Sequence, residues 1–239
     1  MAKRAPPSVT DDFNGVMEFF KSRGIVSASP PVQLVSEAKK LHRATFSLLL
    51  WRFRLKHLPE HSRVFVEEIA SDALQILPQA LMGYGKTTKL LTRGVVENTF
   101  RHLYFSDHPV EFARMNLERK WYLGIEELVE YLLAHPAFAD TERRFDAISR
   151  LRTVYNELSA GVHGRRVQDL EMRAALNKIN YHGPSFSQEV RLVERCTEAV
   201  NFLVGTFHKD SLRLLQKEDR QVILHTMSAR ARRVWNELP

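Results

Sequence analysis

One cysteine, Cys196, is all the thiol chemistry in this chain, so no intramolecular disulfide can form, and a reducing, cytoplasmic setting is the expectation. Apolar runs reach only four residues, as at Leu48 to Trp51, far short of a membrane span, and the basic start MAKRAPPSVTDD lacks the apolar stretch of a secretion signal. Neither membrane nor export is therefore expected. The ten histidines are scattered without a zinc-type spacing. His57 and His61 stand four apart, but Pro59 between them removes the helical geometry that would aim both rings at one ion. No metal or cofactor is expected. MGYGKTTK, residues 82–89, lacks the first glycine of a phosphate loop because that position is Ala80, leaving a turn between helices with Thr87 or Thr88 as cap. Internal repeats and sustained period-two alternation are also missing, which excludes solenoids and most sheet folds.

Helical periodicity is what the chain does have, and it predicts an all-α, multi-helix bundle. Residues 1–31 read as a tail, a short helix capped by Asp11 or Asp12, and a Ser27–Pro31 linker; residues 32–239 read as a single all-α domain. Helices are predicted from Val32 to His57, from Pro59 to a stop or kink at Pro78, and from Lys89 to Ser106. A long helix is expected from Pro109 to His135, the next is capped by Asp140 or Thr141, and YHGPSFS, 181–187, reads as a loop. Ser187 to Leu215 and Glu218 to Leu238 complete the set. The two longest helices are expected among 32–57, 109–135 and 187–215.

Two stripes mix polar with apolar residues. Arg93, Glu97 and Arg101 recur every four residues beside Leu90, Phe100 and Tyr104, and Tyr155, Ser159 and His163 do the same just before Gly164, a usual helix stop. A carboxylate on a core-facing stripe needs partners, so Arg93, Glu97, Tyr155, Ser159 and His163 are expected to form a polar cluster between packed helices. If the cluster is catalytic, His163, Glu97 and Arg101 are its candidates, with Arg152 or Arg165 as a further cation.

Lysine and arginine outnumber aspartate and glutamate by 35 to 28, a net charge of +7 that points toward polyanions where it is clustered. The candidate phosphate-binding residues are Arg52, Arg54 and Lys56, then Arg165 and Arg166, then Arg230, Arg232 and Arg233. No zinc finger, RRM signature or KH-type loop accompanies them, so the expected contacts are to nucleic-acid backbone, RNA or DNA.

The order of a helix with Arg93-x3-Glu97-x3-Arg101, a long helix, then Tyr155-x3-Ser159-x3-His163-Gly164 resembles the HEPN-like helical superfamily of prokaryotes, often associated with defence or toxins, over about residues 88–175. The resemblance implies a HEPN-like core with extra N- and C-terminal helices, and a nucleic-acid-binding subunit of an antiviral defence or other nucleoprotein assembly. Ribonucleases of that superfamily keep four to six residues between an arginine and the catalytic histidine. Asn156, Glu157 and Leu158 occupy those positions before His163, so a noncatalytic subunit is the expectation. Arg52-x4-His57 and Arg54-x6-His61 meet the bare spacing. A ribonuclease using His163 and a protein-interaction component, with a protein partner or a second copy, are the alternatives.

Overall fold

The computed structural model describes residues 7–163, 183–213 and 216–237, and every regular element among them is a helix. In chain order these are α1 Pro7–Ser22, α2 Val32–Arg54, α3 Glu60–Leu81, α4 Gly85–Phe105, α5 Pro109–Leu117 and α6 Ile125–Ala134. They continue as α7 Ala139–Phe145, α8 Ala147–His163, α9 Gly183–Phe207, α10 Lys209–Arg213, α11 Lys217–His225 and α12 Ala229–Asn236. The all-α reading holds, and the two longest helices, α9 with 25 residues and α2 with 23, are two of the three expected. No described helix is long and apolar enough to cross a membrane.

α9 is the axis of the bundle. Its buried positions, among them Val190, Val193, Cys196, Val200 and Leu203, run its full length, and it packs against α2, α3, α4 and α8. α3 and α4 form the tightest helical pair, joined by a turn that satisfies its own carbonyls. Gly83 takes a left-handed φ of 81°, its N–H bonding to Ala80 O at 3.1 Å, while Tyr84 N bonds to Gln79 O at 2.9 Å. This Schellman turn ends α3. Thr87 and Thr88 are therefore not caps: both lie inside α4, and the Thr88 hydroxyl bonds back to Tyr84 O.

Tertiary packing moved several boundaries. α1 starts at Pro7, so Asp11 and Asp12 lie within it rather than capping it, and Val9, Phe13, Met17 and Phe20 form its buried stripe. Pro78 is carried inside α3, which continues one turn to Leu81. The helix expected over 109–135 is two: the chain leaves helical geometry at Glu118, and Gly124 restarts it with its N–H on Glu127 Oε2 at 2.6 Å. α5 buries nothing, whereas α6 buries Ile125, Leu128, Val129 and Leu132 against its neighbours; the break re-aims that stripe. α9 begins at Gly183, inside the expected loop, because Pro184 suits a first helical turn and Phe186 is buried there. The expected last helix also divides, at Ser228, whose Oγ accepts Ala231 N–H at 3.2 Å as the N-cap of α12. α8 is started not by Asp140 or Thr141 but by Glu142, whose carboxylate accepts the Ile148 and Ser149 N–H groups at 2.8 and 3.0 Å.

A polar staple fixes α2, α9 and the end of α11. Trp51 Nε1 donates to Asn201 Oδ1 at 2.7 Å, and Asn201 Nδ2 donates to Ser47 Oγ at 2.8 Å and to Thr226 Oγ1 at 2.7 Å. Asn201 is wholly buried and its amide is satisfied at both ends.

Candidate functional site

α4 and α8 pack side by side, and their polar stripes meet. Arg93 Nε donates to Glu97 Oε1 at 2.9 Å, and Arg93 Nη2 donates to the Tyr155 hydroxyl at 3.1 Å, with the guanidinium carbon 5.1 Å from the Tyr155 ring centroid. Arg101 Nη2 lies 3.8 Å from Glu97 Oε2, and its Nη1 donates to Asn98 Oδ1 at 3.3 Å. Partial burial works against the charge on Arg93, but Glu97 and Tyr155 more than offset it and hold the guanidinium pKa above its ordinary value. Ser159, one turn beyond Tyr155, is 6 % exposed, and its Oγ meets no hydrogen-bond partner among the described residues. The side chain of His163, together with Gly164, Arg165 and Arg166, lies outside the described residues.

Sequence reasoning missed a member of this junction. Asp72 of α3 sits against Gly94 of α4 so closely that a Cβ at Gly94 would fall 2.3 Å from Asp72 Oδ2. Burial, then the charges of Glu68 and Glu97, push the Asp72 carboxyl up to about 6. The available signal was Gly94 itself: a glycine inside a helix costs about 1 kcal/mol relative to alanine and often marks a close approach. The junction thus sets a carboxyl whose pKa is raised to about 6 within electrostatic reach of Glu97, the carboxylate that Arg93 and Arg101 flank.

The basic residues fall into two groups. Arg54 is ion-paired with Asp219 of α11, which removes it from the free cations and ties α11 to the end of α2. Arg230 Nη2 donates to Arg144 O at 2.8 Å, so it anchors α12 to α7. Arg52, Lys56 and Arg233 are exposed, Arg232 is half-buried, and among the described residues no carboxylate pairs with any of the four. α11 bridges them: Asp219 holds Arg54, and the adjacent Arg220 lies over the Trp235 ring of α12 at 5.9 Å. Of the two Arg-to-His spacings, Arg52 and His57 are both exposed, whereas Arg54 is neutralised and His61 leans on Phe112.

A second histidine cluster was not legible in the sequence. His102 Nδ1 donates to Ser62 O at 3.0 Å, which leaves its Nε2 to accept from His208 Nε2 at 2.9 Å. Burial pushes His102 down to about 4, and burial with the neighbouring His102 and His57 pushes His208 down to about 3. Both rings are neutral at pH 7, and among the described residues no group of acidic, histidine or cysteine side chains is arranged to hold a metal. Set against protein-family models, curated proteins and solved structures, the chain shows no significant match.

Proposed function

We propose that this protein is a nucleic-acid-binding helical subunit that engages backbone phosphates with the basic end formed by α2, α11 and α12. One observation carries the reading. Among the described residues no carboxylate pairs with Arg52 or Lys56, at and just past the end of α2, or with Arg232 and Arg233 on α12, and α11 links the two helices, whereas Arg63, Arg114, Arg150 and Arg195 are each neutralised by a paired acid. Cations on linked helix ends, unpaired among the described residues, suit the regular charge of a phosphate backbone. The resemblance to HEPN-like proteins supports placing the subunit in a prokaryotic defence-type nucleoprotein assembly. Val110, Leu117 and Tyr122, 75 %, 84 % and 69 % exposed on the α5–α6 segment, support a protein partner there. Hydrogen exchange with and without a single-stranded oligonucleotide tests the interface: protection is expected in α11, α12 and the end of α2, and protection confined to α5 and α6 would refute it.

A second reading, RNA cleavage at the α3–α4–α8 junction, is favoured by Asp72, which packs against Gly94 within electrostatic reach of Glu97 and whose pKa is pushed up to about 6. It predicts that Asp72→Asn and His163→Ala abolish turnover of a labelled RNA while leaving its binding intact.

A further inference from the structure

α1 lies across α2 and α3 and leaves a cavity of about 300 Å3 between the three helices, the lower end of the size range of small-molecule pockets. Its wall is largely apolar, with Phe19, Phe20, Phe46, Leu49, Leu74 and Leu77 prominent. Polar groups enter at Asp12, His42 and Thr45 alone. His42 is 5 % exposed, with Phe13 and Phe46 packed about its ring at 5.4 and 5.7 Å between centroids.

The Asp12–His42 contact fixes the tautomer. Asp12 Oδ2 lies 2.7 Å from His42 Nε2, and a carboxylate only accepts, so Nε2 carries the hydrogen. In the neutral ring, which burial favours by lowering the pKa with Asp12 opposing, Nδ1 is then an acceptor. Nδ1 is buried, and no donor among the described residues reaches it. Thr45 does not serve it, because its hydroxyl donates to the Leu41 and His42 carbonyls at 3.2 and 3.1 Å. A buried acceptor without a donor is costly, and the residue that carries it lines an apolar cavity.

We propose that this cavity binds a small amphipathic ligand whose apolar body lies between α1, α2 and α3 and whose uncharged or cationic head, a hydroxyl or primary amine, donates a hydrogen bond to His42 Nδ1. The half-exposed Asp12 carboxylate sets the selectivity: it attracts an ammonium, tolerates a hydroxyl and repels a carboxylate. Fatty acids are therefore disfavoured relative to alcohols and amines of the same length.

Titration of the full chain at pH 8 with octylamine, 1-octanol and octanoate, followed by 15N NMR of the histidine side chains, tests this. Octylamine and 1-octanol should saturate the site at least tenfold more tightly than octanoate and move the His42 Nδ1 resonance upfield. Leu74→Trp, at a position 57 % exposed on the cavity rim, should weaken all three tenfold or more without unfolding the protein. His42→Phe should weaken 1-octanol, which loses its acceptor, whereas Asp12→Asn should abolish the discrimination against octanoate. Equal affinity for octanoate, no saturable binding, or unchanged binding in Leu74→Trp would each overturn the proposal.

Discussion

Arg93 and Tyr155, 62 residues apart in sequence, are joined across the α4–α8 seam by a 3.1 Å hydrogen bond and by the guanidinium over the phenol ring. The same arginine holds Glu97, so removing one member exposes the needs of the others. Tyr155→Phe keeps the ring contact and loses only the hydroxyl, which predicts a loss of about 1 kcal/mol in urea unfolding. Arg93→Ala removes both and leaves Glu97 with Arg101 at 3.8 Å, predicting a larger loss of roughly 2–3 kcal/mol. Equal effects of the two substitutions would show that Glu97 does not depend on Arg93.

Asp72 is held in an unfavourable place. Its folded pKa, about 6, is raised above the unfolded value near 3.8, so the fold favours the protonated acid. That contribution is complete below about pH 4 and is lost as pH rises through 6. Asp72→Asn should therefore stabilise the protein at pH 7 by about 1 kcal/mol, a figure reduced for the group's partial exposure, and should have little effect at pH 4. Gly94→Ala should destabilise, because its Cβ would enter the space of Asp72 Oδ2, and Asp72→Ala in the same chain should relieve most of that loss. Thermal melts at both pH values check the set.

His102 and His208 shift the other way. Their folded pKa values are depressed below the unfolded value of 6.5, so their neutral forms stabilise the fold above that pH. As pH falls from about 6.5 toward 4 the unfolded chain binds protons that the folded pair refuses, and stability drops. His102 alone accounts for roughly 2–4 kcal/mol over that range at about 1.4 kcal/mol per pKa unit. His102→Gln should be less stable at pH 8 yet show a flatter profile between pH 6.5 and 4.5. A parallel profile would remove the histidine pair as its cause.

Much of the helix layout was legible because the signals are local. Pro59 precedes the first residue of α3, Pro109 opens α5, and periodic apolar residues of α2 and α9 such as Leu34, Leu41, Leu48, Val193, Val200 and Leu203 face the core, although Phe53 on the α2 stripe is exposed. The break at Glu118 was not legible, since Phe112, Met115, Leu123 and Leu128 sustain an apolar pattern across it and no proline interrupts them. The meeting of Arg93, Glu97 and Tyr155 follows from stripes visible in sequence. Asp72 and Asp219 do not, because each depends on the register of two helices: Asp72 on Gly94 across the α3–α4 pair, and Asp219 on Arg54 between α11 and α2.

The Asn201 staple predicts a sharp local cost. Trp51→Phe leaves the buried Asn201 Oδ1 without its donor, and Asn201→Ala leaves the Trp51 N–H without its acceptor and opens a cavity. Losses of roughly 1–3 and 2–4 kcal/mol respectively are expected in denaturant unfolding. Non-additivity in the double variant is the signature of the bond between them.

The central claim is that the basic end binds phosphate backbone, and its most direct test is the salt dependence of affinity for a labelled single-stranded RNA, measured by fluorescence anisotropy. With these four cations engaged, log K should fall linearly with log salt at a slope of about −3 on a single strand. Arg232→Glu with Arg233→Glu should weaken binding at every salt concentration and make the slope shallower by about 1.4, across unrelated sequences alike. An affinity independent of salt, or one unchanged by reversing both charges, would contradict the account.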